Sequence, residues 1–161
     1  MHPCLLPRHR LAAPLWRTSL AALLCLGAGT LPAQPAAPDG DDFAEQVLHE
    51  VNHYRQARQL PALRQAPWLA TLAGEHSAHM ARLGQLSHAG FQDRFLRARR
   101  QTCVENLAAG YSQARRLVAG WRASDSHHQN LLDARLQEVG VASVNGHVTW
   151  LACSAGGPAG R

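Results

Sequence analysis

Residues 139–153 read VGVASVNGHVTWLAC. Two alternating, β-branched runs flank Asn145-Gly146, a pair that tolerates positive φ at both central positions of a type I′ turn. The stretch is therefore predicted to be an antiparallel hairpin. Upstream of it the periodicity is helical. Leu69, Leu72, Ala73, His76, Met80 and Leu83 share one face of a helix that opens at Pro67 and stops at Gly84. Phe43, Val47, Val51 and Tyr54 mark an earlier helix over 43–58, entered through Asp42 and Glu45 in a capping-box pattern and ended by Pro61. Residues 60–63 are then extended. Residues 91–100 form a short helix with a basic outer side, and Ser112 caps another through Leu117, Val118 and Trp121. Residues 102–110, TCVENLAAG, fit either a helix or a strand. Helices first and a hairpin last give an α+β class and exclude an alternating parallel βαβ fold.

The N-terminus has a different composition. Residues 2–19 carry Arg8, Arg10 and Arg17 and no acid, and residues 20–31 are the small, apolar run LAALLCLGAGTL. This pattern is that of a secretory signal peptide over 1–33, cleaved after Ala33 or Ala28. The apolar run is short of the roughly 20 residues a membrane span needs, which makes an uncleaved anchor the lesser alternative. Leu24 before Cys25 does not fit a lipoprotein signal. A Pro/Ala-rich linker over 34–42, a domain over 43–154 and a disordered Gly/Pro-rich tail over 155–161 complete the division. All 16 basic residues are arginine, against 11 acids. Removing the leader takes three arginines with it and leaves 13 against 11, which gives no reason to expect a nucleic-acid partner. The domain is expected to be exported to the periplasm or the exterior, monomeric, and without a span once the leader is gone. Of four cysteines, Cys103 and Cys153 remain. They read as one disulfide, worth at best about 4 kcal/mol for a loop of this length, or as two buried thiols.

Several short motifs follow one another in order: Asn52-x-x-Arg55, Leu60-Pro-Ala-Leu63, Met80-Ala81, Ser87-His88, Glu105-Asn106-Leu107-Ala108, and Trp121-x-x-Ser124-x-x-His127-x-x-Asn130-Leu131-Leu132, then the terminal strands from Val139-Gly140-Val141-Ala142. The series resembles the bacterial branch of the CAP superfamily, which unites cysteine-rich secretory proteins, antigen 5 and pathogenesis-related proteins. The resemblance implies an α-β-α sandwich with a central antiparallel sheet flanked by helices. It also implies a cleft lined by two histidines and two acids, which in some members holds a divalent metal. Carried over by position, His88 and Glu105 match the first histidine and the glutamate. His127 matches the histidine of the bacterial ladder. Ser124 stands where other members have the second glutamate. His147 lacks the motif that would make it a counterpart.

Two imidazoles and a carboxylate are the ligand set of an open zinc site, here His88 and His127 with Glu105 assisting. They also suit a general base with an orienting acid. The alternative is a hydrogen-bonded polar cluster that ties loops to the core, since a buried carboxylate needs partners. Two functions follow. One is a non-enzymatic binding module whose cleft takes a metal, a lipid or an envelope component; the resemblance implies sterol or fatty-acid binding in some relatives. The other is a metal-assisted, protease-like hydrolase using His88, His127 and Glu105, although no HExxH motif is present. Ser124 with His127 and Glu105 would spell a Ser-His-Glu set, but without a Gly-x-Ser-x-Gly context. His49 and His53 lie off the apolar stripe of their helix. His76 falls on an apolar face as a hydrogen-bonded core histidine. His128 diverges from His127 by about 100° on a helix, so only one of the two can enter a cleft. Trp121 and Trp150 are expected in the core, Asn130 on backbone, and Arg97, Arg99, Arg100, Arg115 and Arg116 on a solvated face.

Overall fold

The computed structural model describes residues 40–156. The leader, most of the linker and the last five residues of the tail lie outside the described residues. Helices α1 (Gly40–Ala57), α2 (Pro67–Leu83), α3 (Phe91–Ala98), α4 (Ala114–Arg122) and α5 (Asp125–Leu132) accompany strands β1 (Arg64–Gln65), β2 (Cys103–Ala109), β3 (Glu138–Val144) and β4 (His147–Cys153). The strand order is β1-β3-β4-β2. β2, β3 and β4 pair antiparallel, and the two-residue β1 runs parallel to β3, so the sheet is mixed at one edge. The result is an α-β-α sandwich.

The two faces of β4 separate the two cores. Val148, Trp150 and Ala152 pack with Val47, Val51, Leu117, Trp121 and Leu131 of α1, α4 and α5. Leu151 and Cys153 pack with Leu69, Leu72 and Ala73 of α2. This is the period-two alternation of a strand buried on both sides. α2 lies close on β3: a Cβ added to Gly140 would overlap the backbone of Leu69 and Ala70. Asn145 and Gly146 both take positive φ, 46° and 74°, as the type I′ turn requires.

Several local expectations are corrected. α1 begins at Gly40, so Asp41 and Asp42 sit inside its first turn, where carboxylates oppose the positive end of the helix dipole. Part of the linker is thus helical. α4 starts after Gln113, not at Ser112, and has no side-chain cap. Residues 102–110 resolve into strand β2, because pairing with β4 satisfies their backbone groups. Asp125–Leu132, which carry His127 and His128, form helix α5, as the divergence of the two rings by about 100° assumed.

Cys103 and Cys153 face each other across β2 and β4, Cα atoms 4.1 Å apart, and form a disulfide. Asn52 donates to and accepts from the backbone of Leu63, at 3.1 and 2.8 Å. Buried Arg55 reaches Pro61 O, Leu131 O and Asp133 O. The Asn-x-x-Arg motif thereby ties α1 to the extended segment and to the end of α5. Among the described residues, no helix is long and apolar enough to cross a membrane.

Candidate functional site

β2 is an edge strand, so both helical layers can reach around it. From it projects Glu105, whose side chain is 1% exposed. A buried carboxylate must be paired. Arg94 of α3 supplies a two-pronged partner: Nε donates to Oε2 at 2.7 Å and Nη2 to Oε1 at 2.8 Å. Its third nitrogen, Nη1, donates to Ala89 O at 3.0 Å. His88 donates from Nδ1 to Glu105 Oε1 at 2.9 Å, which leaves its Nε2 edge free on a side chain 55% exposed.

The loop that carries His88 is held from below. His76 of α2 is buried, and its Nε2 donates to Ser87 O at 2.7 Å. The same nitrogen lies 4.0 Å from Glu105 Oε1. Burial, then the nearby Arg94 guanidinium, holds the His76 pKa below the ordinary histidine value. Its carbonyl partner requires a proton on Nε2, which a neutral imidazole can supply. This is the hydrogen-bonded core histidine that its place on the α2 face indicated.

The other wall comes from α5. His88, Phe91, Cys103, Val104, Glu105, Ser126, His127 and Asn130 enclose a cavity of about 310 Å³. Burial, and secondarily the proximity of His88, lowers the His127 pKa. The neighbouring His128 turns away and shares a 2.7 Å hydrogen bond with the Tyr54 hydroxyl. Asn130 Nδ2 donates to Asn106 Oδ1 at 2.8 Å, and Asn106 Nδ2 to His127 O at 3.1 Å. These bonds fix α5 to the edge strand. Asn130 Nδ2 also donates to Glu105 O at 3.4 Å, so it serves a side chain and the backbone of β2, not the backbone of the turn after its helix.

Of the four residues singled out from sequence, His88, Glu105 and His127 line one cavity and Ser124 does not. Ser124 is the N-cap of α5, and its carbonyl accepts the His128 N–H at 2.8 Å. The three-residue ladder from Trp121 to Asn130 crosses the break between α4 and α5, so Trp121 and Ser124 lie outside the cavity that His127 and Asn130 line together. Ser126 takes the place in the wall, with no hydrogen bond between it and an imidazole.

Arg94 escaped the sequence reading, which put the basic side of α3 outside. A signal was present: Phe91, Arg94 and Ala98 follow i, i+3, i+7 spacing, so an arginine occupies the inward stripe. Two arginines assigned to a solvated face are also engaged. Arg97 pairs with Glu75 and Arg100 with Glu138.

Zinc does not fit this cluster as built. Among the described residues, no group of three or more His, Cys, Asp or Glu side chains is placed to hold a metal ion. Both Glu105 oxygens are committed to Arg94 and His88, so only two imidazoles remain. An open zinc site uses three protein ligands.

The cysteine-rich secretory protein (CAP) family model matches residues 48–153. No curated protein sequence matches significantly. Among solved structures, the chain is similar to an extracellular protein containing an SCP domain from Bacillus anthracis, with 26% identity and a TM-score of 0.68 over 76% of this chain and 45% of that one. It is also similar to a cysteine-rich secretory protein from Staphylococcus aureus, with 16% identity and a TM-score of 0.65 over 73% and 40% of the two chains. An outer surface protein from Borrelia burgdorferi shares the fold at 17% identity, with a TM-score of 0.61 over 71% and 94%. The chain thus spans less than half of the first two. With the family model covering the helices, the sheet and the cleft, the chain belongs to the cysteine-rich secretory protein (CAP) family.

Proposed function

We propose that this chain is an exported, non-enzymatic binding module, and that the cavity beside β2 takes a small amphipathic envelope component such as a lipid. The observation that carries this reading is the composition of the cavity wall. The free edge of His88, the His127 ring and Asn130 offer polar contacts, while Phe91 and Val104 offer apolar surface. A few convergent polar groups on an apolar wall are what a small-ligand site requires. The leader-like N-terminus and the extracellular or outer-surface placement of the Bacillus and Borrelia proteins support export. The hydrolase alternative has less support. Among the described residues, the cluster as built does not fit zinc, and no hydroxyl is hydrogen-bonded to an imidazole at the cavity.

Native mass spectrometry of the protein exported by its own leader tests the reading. A lipid-sized adduct is expected on the wild type, with occupancy reduced at least tenfold in His127→Ala. Turnover of peptide or ester substrates that disappears in His88→Ala would replace the binding module with the hydrolase.

A further inference from the structure

The geometry points to Arg94 as the resident cation of this cleft. Its guanidinium takes the place at Glu105 that a divalent metal would need. The wild-type cleft therefore takes up no zinc, and loss of the guanidinium opens a zinc site on His88, Glu105 and His127.

Three observations converge on this. The first is valence. A carboxylate has about four acceptor positions. Arg94 Nε on Oε2, with Arg94 Nη2 and His88 Nδ1 on Oε1, fill three of them. The second is charge. Arg94 and Glu105 form a buried pair, with side chains 8% and 1% exposed, whose formal charges cancel. A divalent ion would meet no net negative charge there and would lie beside a fixed positive one. Buried like charges are poorly screened by salt. The third is rigidity. Arg94 cannot readily swing aside, because Nη1 is bonded to Ala89 O and its own helix is anchored by the Arg94 N–H to Gly90 O bond at 3.1 Å.

The His88–Glu105 bond resembles the outer-shell contact that orients a metal-bound imidazole. Here that contact orients the imidazole without a metal, and it holds Glu105 Oε1 on the opposite side of the ring from the free Nε2, so Glu105 in this position cannot share an ion with that nitrogen. As built the three side chains are not placed to hold an ion; removing the guanidinium would restore the negative charge and release Glu105 to turn from Arg94 and His88 Nδ1 toward the cavity that His88 and His127 line. The inference concerns the metal alone and does not rest on the organic ligand proposed above.

Isothermal titration with zinc alone, on folded and disulfide-intact protein, tests it. Wild type and His88→Ala should bind zinc alike, within twofold, any weak uptake coming from surface histidines. One equivalent bound by the wild type and weakened at least tenfold in His88→Ala would overturn the inference. Arg94→Met is expected to gain at least tenfold in zinc affinity, to lose that gain when His127→Ala is added, and to be the form whose Tm rises with zinc. A folded Arg94→Met protein with no gain would also overturn it. Should Arg94→Met fail to fold, Arg94→Gln, which keeps one donor to Glu105, is held to the same tenfold criterion. Should neither fold, the comparison of wild type with His88→Ala decides.

Discussion

Two buried glutamates on strands of the same sheet solve the same problem differently. Glu138, at the start of β3, is bridged by Arg64 at 2.7 Å and Arg100 at 2.9 Å. Arg64 is 72% exposed, so its head is in water and only its reach is structural. Glu105, on the edge strand, is bridged by an inward-facing arginine and an imidazole. Arg94 is sequestered, and His88 opens to the cavity. The Glu138 cluster is a staple between β1, β3 and the end of α3. The Glu105 cluster is a staple that also presents a free ring edge to a cavity. The residue type does not separate them. What separates them is which side of the carboxylate reaches solvent, and through which group.

The largest effect that would sharpen this contrast is removal of each carboxylate. Glu105→Ala leaves a buried guanidinium unpaired and is expected to cost about 3–5 kcal/mol in chemical denaturation. Glu138→Ala is expected to cost about 1–3 kcal/mol, because its partners can turn to water. Equal losses would remove the distinction.

A smaller effect is expected from pH. His76 and His127 both have folded pKa values below the ordinary histidine value, with burial the leading cause in each case. As pH falls through about 6.5, the unfolded chain takes up protons before the folded one does. Stability should therefore be fully present above that value and decline below it. His76 faces Arg94, Glu105 and His79, and His127 faces His88. Glu138 is hydrogen-bonded to two arginines and to no imidazole, so the decline belongs to the Glu105 side. Thermal melts from pH 7 to 5 should show a flatter slope for His76→Gln than for wild type. An unchanged slope would mean that burial of this ring does not matter. The smallest effect is expected at Arg64→Ala, under about 1 kcal/mol, as is usual for an exposed partner.

Much of the fold was legible one residue at a time. Asn145-Gly146 marked the hairpin because few other pairs tolerate two positive φ angles in succession. Pro67 and Gly84 marked α2 because each restricts or permits a backbone angle that local sterics require. The ends of α1 and α4 were less legible, since, among the described residues, the caps read there make no side-chain bonds. β2 stayed open between helix and strand, because TCVENLAAG owes its state to hydrogen bonds with β4, 38 to 50 residues away along the chain.

The sequence by itself determined the class, the family and the turn, left Cys103 and Cys153 open between a disulfide and two thiols, and nominated His88, Glu105 and His127, which line one cavity. These rest on local sterics, on periodicity and on motif order, all of which a linear chain displays. Only the tertiary structure decided that Ser124 stands aside, that His128 serves Tyr54, and that Arg94 closes on Glu105. A carboxylate's chemistry depends on what lies within hydrogen-bond distance of it. For Glu105 of β2 that neighbourhood is assembled from α3 and the loop before it, with His76 of α2 just beyond at 4.0 Å, and the packing of those elements around an edge strand brings the groups together.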